Sequence, residues 1–275
     1  MKLYNDDCLS VMKTLPDNSV DLTVTSPPYD NLRTYNGYVF DFEGIAKELY
    51  RVTKEGGVVV WVVGDATING SETGTSFKQA LYFKEIGFNL HDTMIFQRKT
   101  KPLTHKRYEQ EFEYMFVLSK GKLKTCNHIR LKSNYVGEIK NRQKGRHREK
   151  NGIPSVIDGD WIVKETKIKG NIWKYLVGNT GMSDAIGFKH PAIFPEKLAH
   201  DHIISWSNEG DTVLDPMMGS GTTGKMAKIL NRHFIGIEIS KEYFEIATRR
   251  IEDTDPLFQA GEVLTVENME KGRGQ

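Results

Sequence analysis

The chain has 275 residues, 38% hydrophobic and 27% charged, and a net charge of +2, enough for one α/β domain with an insertion or for two domains. Its only cysteines, Cys8 and Cys126, exclude a disulfide framework and a zinc site, and no metal is expected. No apolar run approaches the ~20 residues of a membrane span, and the acidic opening Met1–Asp7 lacks an apolar signal core, so a soluble cytoplasmic protein without membrane attachment is expected.

The predicted elements alternate strand and helix. Leu3-Tyr4 is a short strand, and Leu9, Met12 and Leu15 suit a small helix ended by Pro16. Residues 20–25 form a strand that runs into Ser26-Pro27-Pro28-Tyr29. Phe42, Ile45, Ala46, Leu49 and Val52 recur at helical spacing, stopped by Gly56-Gly57, and the unbroken run Val58–Val63 is a buried strand. The resulting β-α-β unit makes the two strands parallel neighbours or close to it. A helix over 76–86 and strands over 90–97 and 112–118 follow, with the basic loop 98–107 between those strands.

From Lys120 to about Ser183 the periodicity fades and cations gather. Residues 121–175 hold fourteen Lys/Arg against five Asp/Glu, leaving 24 against 31 elsewhere, so a nearly neutral chain is strongly asymmetric. The span reads as an insertion with its own task. Trp161, Trp173 and Tyr175 within it read as core. The α/β pattern returns as a helix over 195–206, a strand over 212–214, a helix over 222–230, a strand over 234–237 and a helix over 241–251.

Two segments carry chemistry. Thr25-Ser26-Pro27-Pro28-Tyr29 is a rigid loop at a strand end, with polar acceptors and an aromatic suited to a planar amino-bearing ring. Alone it also fits, less well, a surface loop or a polyproline ligand. Val213-Leu214-Asp215-Pro216-Met217-Met218-Gly219-Ser220-Gly221-Thr222-Thr223 is a Gly-rich strand-to-helix turn whose free amides accept a ligand at close range. Glu238 ends the next strand about 20 residues on, where Rossmann-like folds place a carboxylate for ribose hydroxyls.

Together these motifs resemble the amino-group DNA methyltransferases. The likeness covers roughly residues 1–120 and 188–252, and the order of motifs is similar to the circularly permuted beta group. It implies a Rossmann-like α/β fold with a mixed, mostly parallel sheet. The expected division is a catalytic domain over 1–120 and 186–260, an inserted basic target-recognition region over 121–185, and a tail over 261–275. S-adenosyl-L-methionine is the implied cofactor, with Gly219, Ser220, Gly221 and Thr222 near its methionine part, Asp215 beside them and Glu238 on the ribose. Asp7-Cys8 stands where the family borders the adenine, although Asp7 also suits a helix N-cap. His190-Pro191 resembles the segment flanking the methionine moiety.

The implied reaction is methylation of an exocyclic amine on a base flipped out of double-stranded DNA. Such an amine is a poor nucleophile, because its lone pair is delocalised into the ring. Ser26 and the carbonyl of Pro27 accept its hydrogens, Pro28 stiffens the loop and Tyr29 stacks on the base. Ser in the first motif position favours cytosine N4, with adenine N6 as the alternative. DNA contacts are assigned to Arg33, Lys101, Lys106, Arg107, Arg130, Lys140, Arg142, Lys144, Arg146 and Arg148, to phosphates or, for Arg130, Arg142, Arg146 and Arg148, to guanine edges, although charge runs also occur as plain solvated faces. A cognate restriction endonuclease and a homodimer are the implied partners. An RNA or small-molecule methyltransferase, and a non-catalytic DNA-binding protein on a methylase scaffold, are the competing classes.

Overall fold

The computed structural model describes residues 1–28, 40–98, 108–141, 145–148, 154–157, 160–176 and 194–255, with backbone alone for 139–141, 145–148, 154–157 and 160–161. The chain forms two compact units, Met1–Asn127 with Asn171–Gln275, and His128–Gly170. The first unit runs β1 (Lys2–Tyr4), α1 (Cys8–Met12), β2 (Val20–Thr25), α2 (Phe42–Val52), β3 (Thr53–Val63), the hairpin β4 (Thr67–Ile68) and β5 (Ser71–Glu72), α3 (Thr75–Glu85), β6 (Phe88–Gln97) and β7 (Phe112–Lys120). The second unit contains β8 (Arg130–Lys132), β9 (Ile139–Asn141), β10 (Gly145–Arg148), β11 (Pro154–Ile157), β12 (Asp160–Ile162) and β13 (Thr166–Ile168). The first unit then resumes with β14 (Ile172–Lys174), α4 (Glu196–Trp206), β15 (Thr212–Asp215), α5 (Thr222–Ile229), β16 (His233–Ile237) and α6 (Lys241–Glu252).

One eight-stranded sheet organises the first unit, in the order β1-β16-β15-β2-β3-β7-β6-β14. Five pairings are parallel and two, β3 with β7 and β7 with β6, are antiparallel, the mixed and mostly parallel sheet expected. Val58 to Val63 are all buried because β3 has helices on both faces. Trp61 is fully buried, donates its indole N–H to Gln79 on α3 at 2.9 Å, meets Phe83 of α3 edge-on and packs at a tilt against Phe42 of α2. Burying each such ring stabilises by roughly 1.5–3 kcal/mol, so this cluster is what holds α2 and α3 onto the sheet.

Two boundaries differ from the sequence expectation. The helix ends at Val52 rather than at the glycines, and β3 begins at Thr53, paired to Val20. Gly56 and Gly57 lie inside that strand, where the register shifts between Val20 and Leu22; Gly56 has φ +78, so the glycines serve a bulge rather than a helix stop. Pro195 is the N-cap of α4 rather than its first residue.

The inserted span also differs in composition. β14, expected within the insertion, pairs in parallel with β6 of the main sheet, and its Trp173 and neighbouring Tyr175 are buried. The chain leaves the first unit at Asn127, whose side-chain amide donates to the Ile204 carbonyl, and re-enters at Asn171, which donates to the Thr93 carbonyl. Between them the six strands pair antiparallel as β8 with β13, β9 with β12 and β10 with β11. None of the helices among the described residues is long and apolar enough to cross a membrane.

Candidate active site

Chain direction in the sheet reverses between β2 and β15. From β2 the chain passes through α2 to β3 on one side, and from β15 it passes through α5 to β16 on the other. The crevice outside the carboxyl ends of strands at such a switch point is where open α/β sheets bind ligands. Both motifs of the sequence end there. β2 delivers Ser26 and Pro27, and β15 delivers the Gly-rich turn; the strands are parallel neighbours, with Leu22 opposite Val213 and Thr23 opposite Leu214.

Side chains lock the two segments together. Thr25 Oγ1 donates to Asp215 Oδ1 at 2.8 Å across 190 residues of chain, and Thr223 Oγ1 donates to the Val24 carbonyl at 3.3 Å. Asp215 also accepts from the Met217 N–H at 3.2 Å and is buried. Burial pushes its carboxyl up to about 6; bonds from Thr25, Thr223 and Met217 pull it back, and the charge of Glu238 pushes it further up. Asp215 therefore works as a pin between the motifs.

Ser26 is half-buried, Pro27 buried and Pro28 half-buried at the end of β2. Tyr29 and Arg33, which follow, lie outside the described residues, as do Lys101, Lys106, Arg107, Arg142, Lys144 and His190.

The turn itself is tight. Gly219 has φ +50 and Gly221, the N-cap of α5, has φ +79 with no side-chain cap, so the first amides of α5 carry no capping side chain. The Gly221 N–H donates to the Met218 carbonyl at 2.7 Å, closing the turn. Glu238 stands opposite, mostly buried, with its two oxygens accepting from Gly219 N–H and Ser240 N–H, both at 2.9 Å. Desolvation raises its carboxyl and those amide bonds lower it. This pair of backbone donors aims the carboxylate while leaving lone pairs for ribose hydroxyls, so the donor set fits an adenosyl cofactor.

Asp7 caps α1, accepting from Ser10 N–H at 2.9 Å, and Cys8 follows with its thiol pushed up to about 12 by burial and by the charges of Asp7 and Glu238. The pair thus sits at the start of α1 within electrostatic reach of Glu238, and Asn5, after β1, donates to the Glu238 carbonyl at 2.8 Å. Ser220 and Thr222 turn their hydroxyls to the buried Arg250, which donates to both. In the second unit, Arg130 is committed across its own ladder, donating to Thr166 Oγ1 at 2.8 Å. For Lys140, Arg146 and Arg148 only the strands that carry them, β9 and β10, are described.

A buried cluster behind the turn was not foreseen from sequence. Glu196 of α4 accepts from Lys225 of α5 at 2.8 Å and from Arg250 of α6 at 3.2 Å, all three buried. On sequence each reads as a solvated helix charge. The one signal is phase, since Lys225 and Arg250 sit next to the buried Met226 and Ile251.

A Rossmann-like sheet with a Gly-rich turn, a carboxylate at the end of the next strand and a Ser-Pro-Pro loop at one switch point is the arrangement of an S-adenosylmethionine-dependent methyltransferase. The turn alone is less decisive, because Gly219, Gly221 and Gly224 also fall on the Gly-x-Gly-x-x-Gly spacing of dinucleotide folds. Comparison with known proteins resolves it: residues 20–249 match the N6/N4 methyltransferase family described as DNA methylase, and the chain belongs to that family. It is a DNA amino-methyltransferase. It is 57% identical over 243 residues to the orphan methyltransferase M.BamHII of Bacillus amyloliquefaciens, across 88% of this chain and 92% of that one. Its fold is similar to the cytosine-N4-specific PvuII DNA methyltransferase (TM-score 0.68, 20% identity, 97% and 90% of the two chains) and to M1.HpyAVI in complex with S-adenosylmethionine (TM-score 0.56, 24% identity, 90% and 98%).

Proposed function

We propose that the protein methylates N4 of a flipped cytosine within a specific DNA sequence. The observation that carries methyl transfer at this site is the Thr25–Asp215 bond, which sets the acceptor loop and the Gly-rich turn side by side at the switch point, and the choice of cytosine N4 rests on Ser26 in the first motif position. Gly219 to Thr222, Glu238 and the Asp7-Cys8 loop would hold S-adenosylmethionine, which supplies an electrophilic methyl group on a sulfonium. The chain's own part is to make the amine nucleophilic. The Ser26 hydroxyl and the Pro27 carbonyl accept the two amino hydrogens, turning the lone pair out of the ring plane, and they stabilise the positive charge that builds on nitrogen. Tyr29 covers the base and excludes water.

The permuted beta-group order belongs to the same proposal, supported by the acceptor loop preceding the cofactor turn in the chain. So does DNA tracking by the basic span 121–185, supported by its excess of cations. A relative described as orphan favours an enzyme acting without a restriction partner. A homodimer draws support from Phe77 and Leu81, apolar residues one turn apart that α3 exposes, and sedimentation tests it.

The test is transfer of labelled methyl from S-adenosylmethionine to unmethylated genomic DNA, with digested nucleosides resolved by mass spectrometry. N4-methylcytosine is the expected product. N6-methyladenine would overturn the base assignment and keep the site; unlabelled DNA from a protein that still binds cofactor would point to RNA or to a non-catalytic scaffold. In the same assay Tyr29→Ala should lose about 10- to 100-fold in transfer, as stacking contributes roughly 1–3 kcal/mol per base, while its affinity for S-adenosylhomocysteine stays within twofold. Loss of both would show that the two halves of the site are not separable.

A further inference from the structure

The cluster behind the Gly-rich turn sets two buried cations, Lys225 and Arg250, on the Glu196 carboxylate. Burying charge is costly unless each donor is used. Arg250 uses its guanidinium on the turn: Nη1 donates to the Ser220 carbonyl at 2.6 Å, to Ser220 Oγ at 3.2 Å and to Thr222 Oγ1 at 3.3 Å, while Nη2 reaches Glu196. A planar fork is suited to this, because its separate nitrogens hold a carbonyl and a carboxylate in a fixed geometry, whereas a lysine ammonium presents all its donors from one atom. The Ser220 carbonyl is drawn inward, so the negative end of that peptide dipole faces the protein and the positive end of α5 is left toward the crevice. Glu196 orients the fork from α4, and Lys225 of α5 donates to the same Glu196 oxygen, Oε1.

We infer that Arg250 is a positioning residue for cofactor binding. It sets the conformation of Gly219–Thr222 from behind, without touching the ligand, and Glu196 and Lys225 hold it in place. This rests on the reading of the turn as the S-adenosylmethionine site.

Arg250→Met is the informative variant because it leaves Glu196 and Lys225 as a buried pair, whereas Glu196→Gln takes the shared carboxylate from both cations. Binding of S-adenosylhomocysteine by calorimetry should weaken about 10- to 100-fold, the equivalent of one charge-assisted hydrogen bond. KM for S-adenosylmethionine should rise in step, with kcat at saturating cofactor and KM for DNA within twofold of the parent, and Arg250→Lys should recover part of the affinity. A purely structural role predicts a lower melting temperature with Kd unmoved, and that result overturns the inference. Should Arg250→Met not fold, Arg250→Lys decides: weakening of about 3- to 10-fold supports the role, and an unchanged Kd overturns it. A parent protein that binds no S-adenosylhomocysteine would overturn both this inference and the cofactor site it rests on.

Discussion

Gly221→Asp should abolish cofactor binding while leaving the sheet folded. A Cβ at this position would lie 2.9 Å from Ala247 Cβ and 3.0 Å from Ala247 Cα, so the obstacle is the backbone of α6 and cannot rotate away. The residue also sits at φ +79, a conformation costing an L side chain about 1–2 kcal/mol. Aspartate is ordinarily a favourable N-cap, but only from extended backbone angles, and reaching them would unfold the closed turn. The turn must therefore shift, and with it the amides of α5 and the Gly219 N–H that aims Glu238. Titration with S-adenosylhomocysteine should show at least about a 100-fold loss of affinity, with an unchanged far-ultraviolet circular dichroism spectrum. Gly210 is the control, since it has φ +80 and a Cβ added there would meet nothing within 4 Å, and Gly210→Asn should bind normally. Equal loss in both variants would mean that backbone strain alone, and not approach to α6, governs the turn.

The sequence made the local parts of this site legible and hid the non-local ones. An uninterrupted apolar run announced β3, and glycines with an acid about 20 residues later announced the Gly-rich turn. What no local pattern carries is adjacency. That β15 lies against β2, so that Asp215 accepts from Thr25, depends on a pairing across some 190 residues. The Glu196, Lys225 and Arg250 cluster has the same origin: three helices converge, and charges that look solvated on each compensate one another in a buried place. The glycines at 56 and 57 misled for a different reason. Gly punctuation marks helix ends and strand bulges alike, and only the pairing partner, here Val20 and Leu22, separates the two. Periodicity also failed across residues 128–170, where strands of three or four residues are too short to display an alternation.

Asp215→Asn should stabilise the protein at neutral pH and slow it as an enzyme. The carboxyl has an ordinary value of 3.8 and is pushed up to about 6 by burial, so the folded state holds its proton more tightly than the unfolded chain. The stability this provides is fully present below about pH 4 and is lost as the pH rises through 6. At roughly 1.4 kcal/mol per tenfold change in proton affinity, the ionised group costs on the order of 3 kcal/mol at pH 7 and above. Asparagine keeps an oxygen for Thr25 and Met217 and does not titrate. Urea unfolding at a series of pH values should then show the variant gaining on the parent by about 3 kcal/mol between pH 4 and 7, the difference cancelling every carboxylate common to both. A flat difference would mean that the carboxyl is not desolvated. A charge retained at that cost, pinned beneath the loop that carries Ser26, is suited to favouring the positive charge that builds on the amine, as a preorganised field in a dry site does. The matching kinetic signature is a kcat lowered about 10-fold in a protein that melts higher, with affinity for S-adenosylhomocysteine within twofold, since the turn keeps its Met217 and Thr25 bonds; a variant equally fast and more stable would leave the charge without a catalytic purpose.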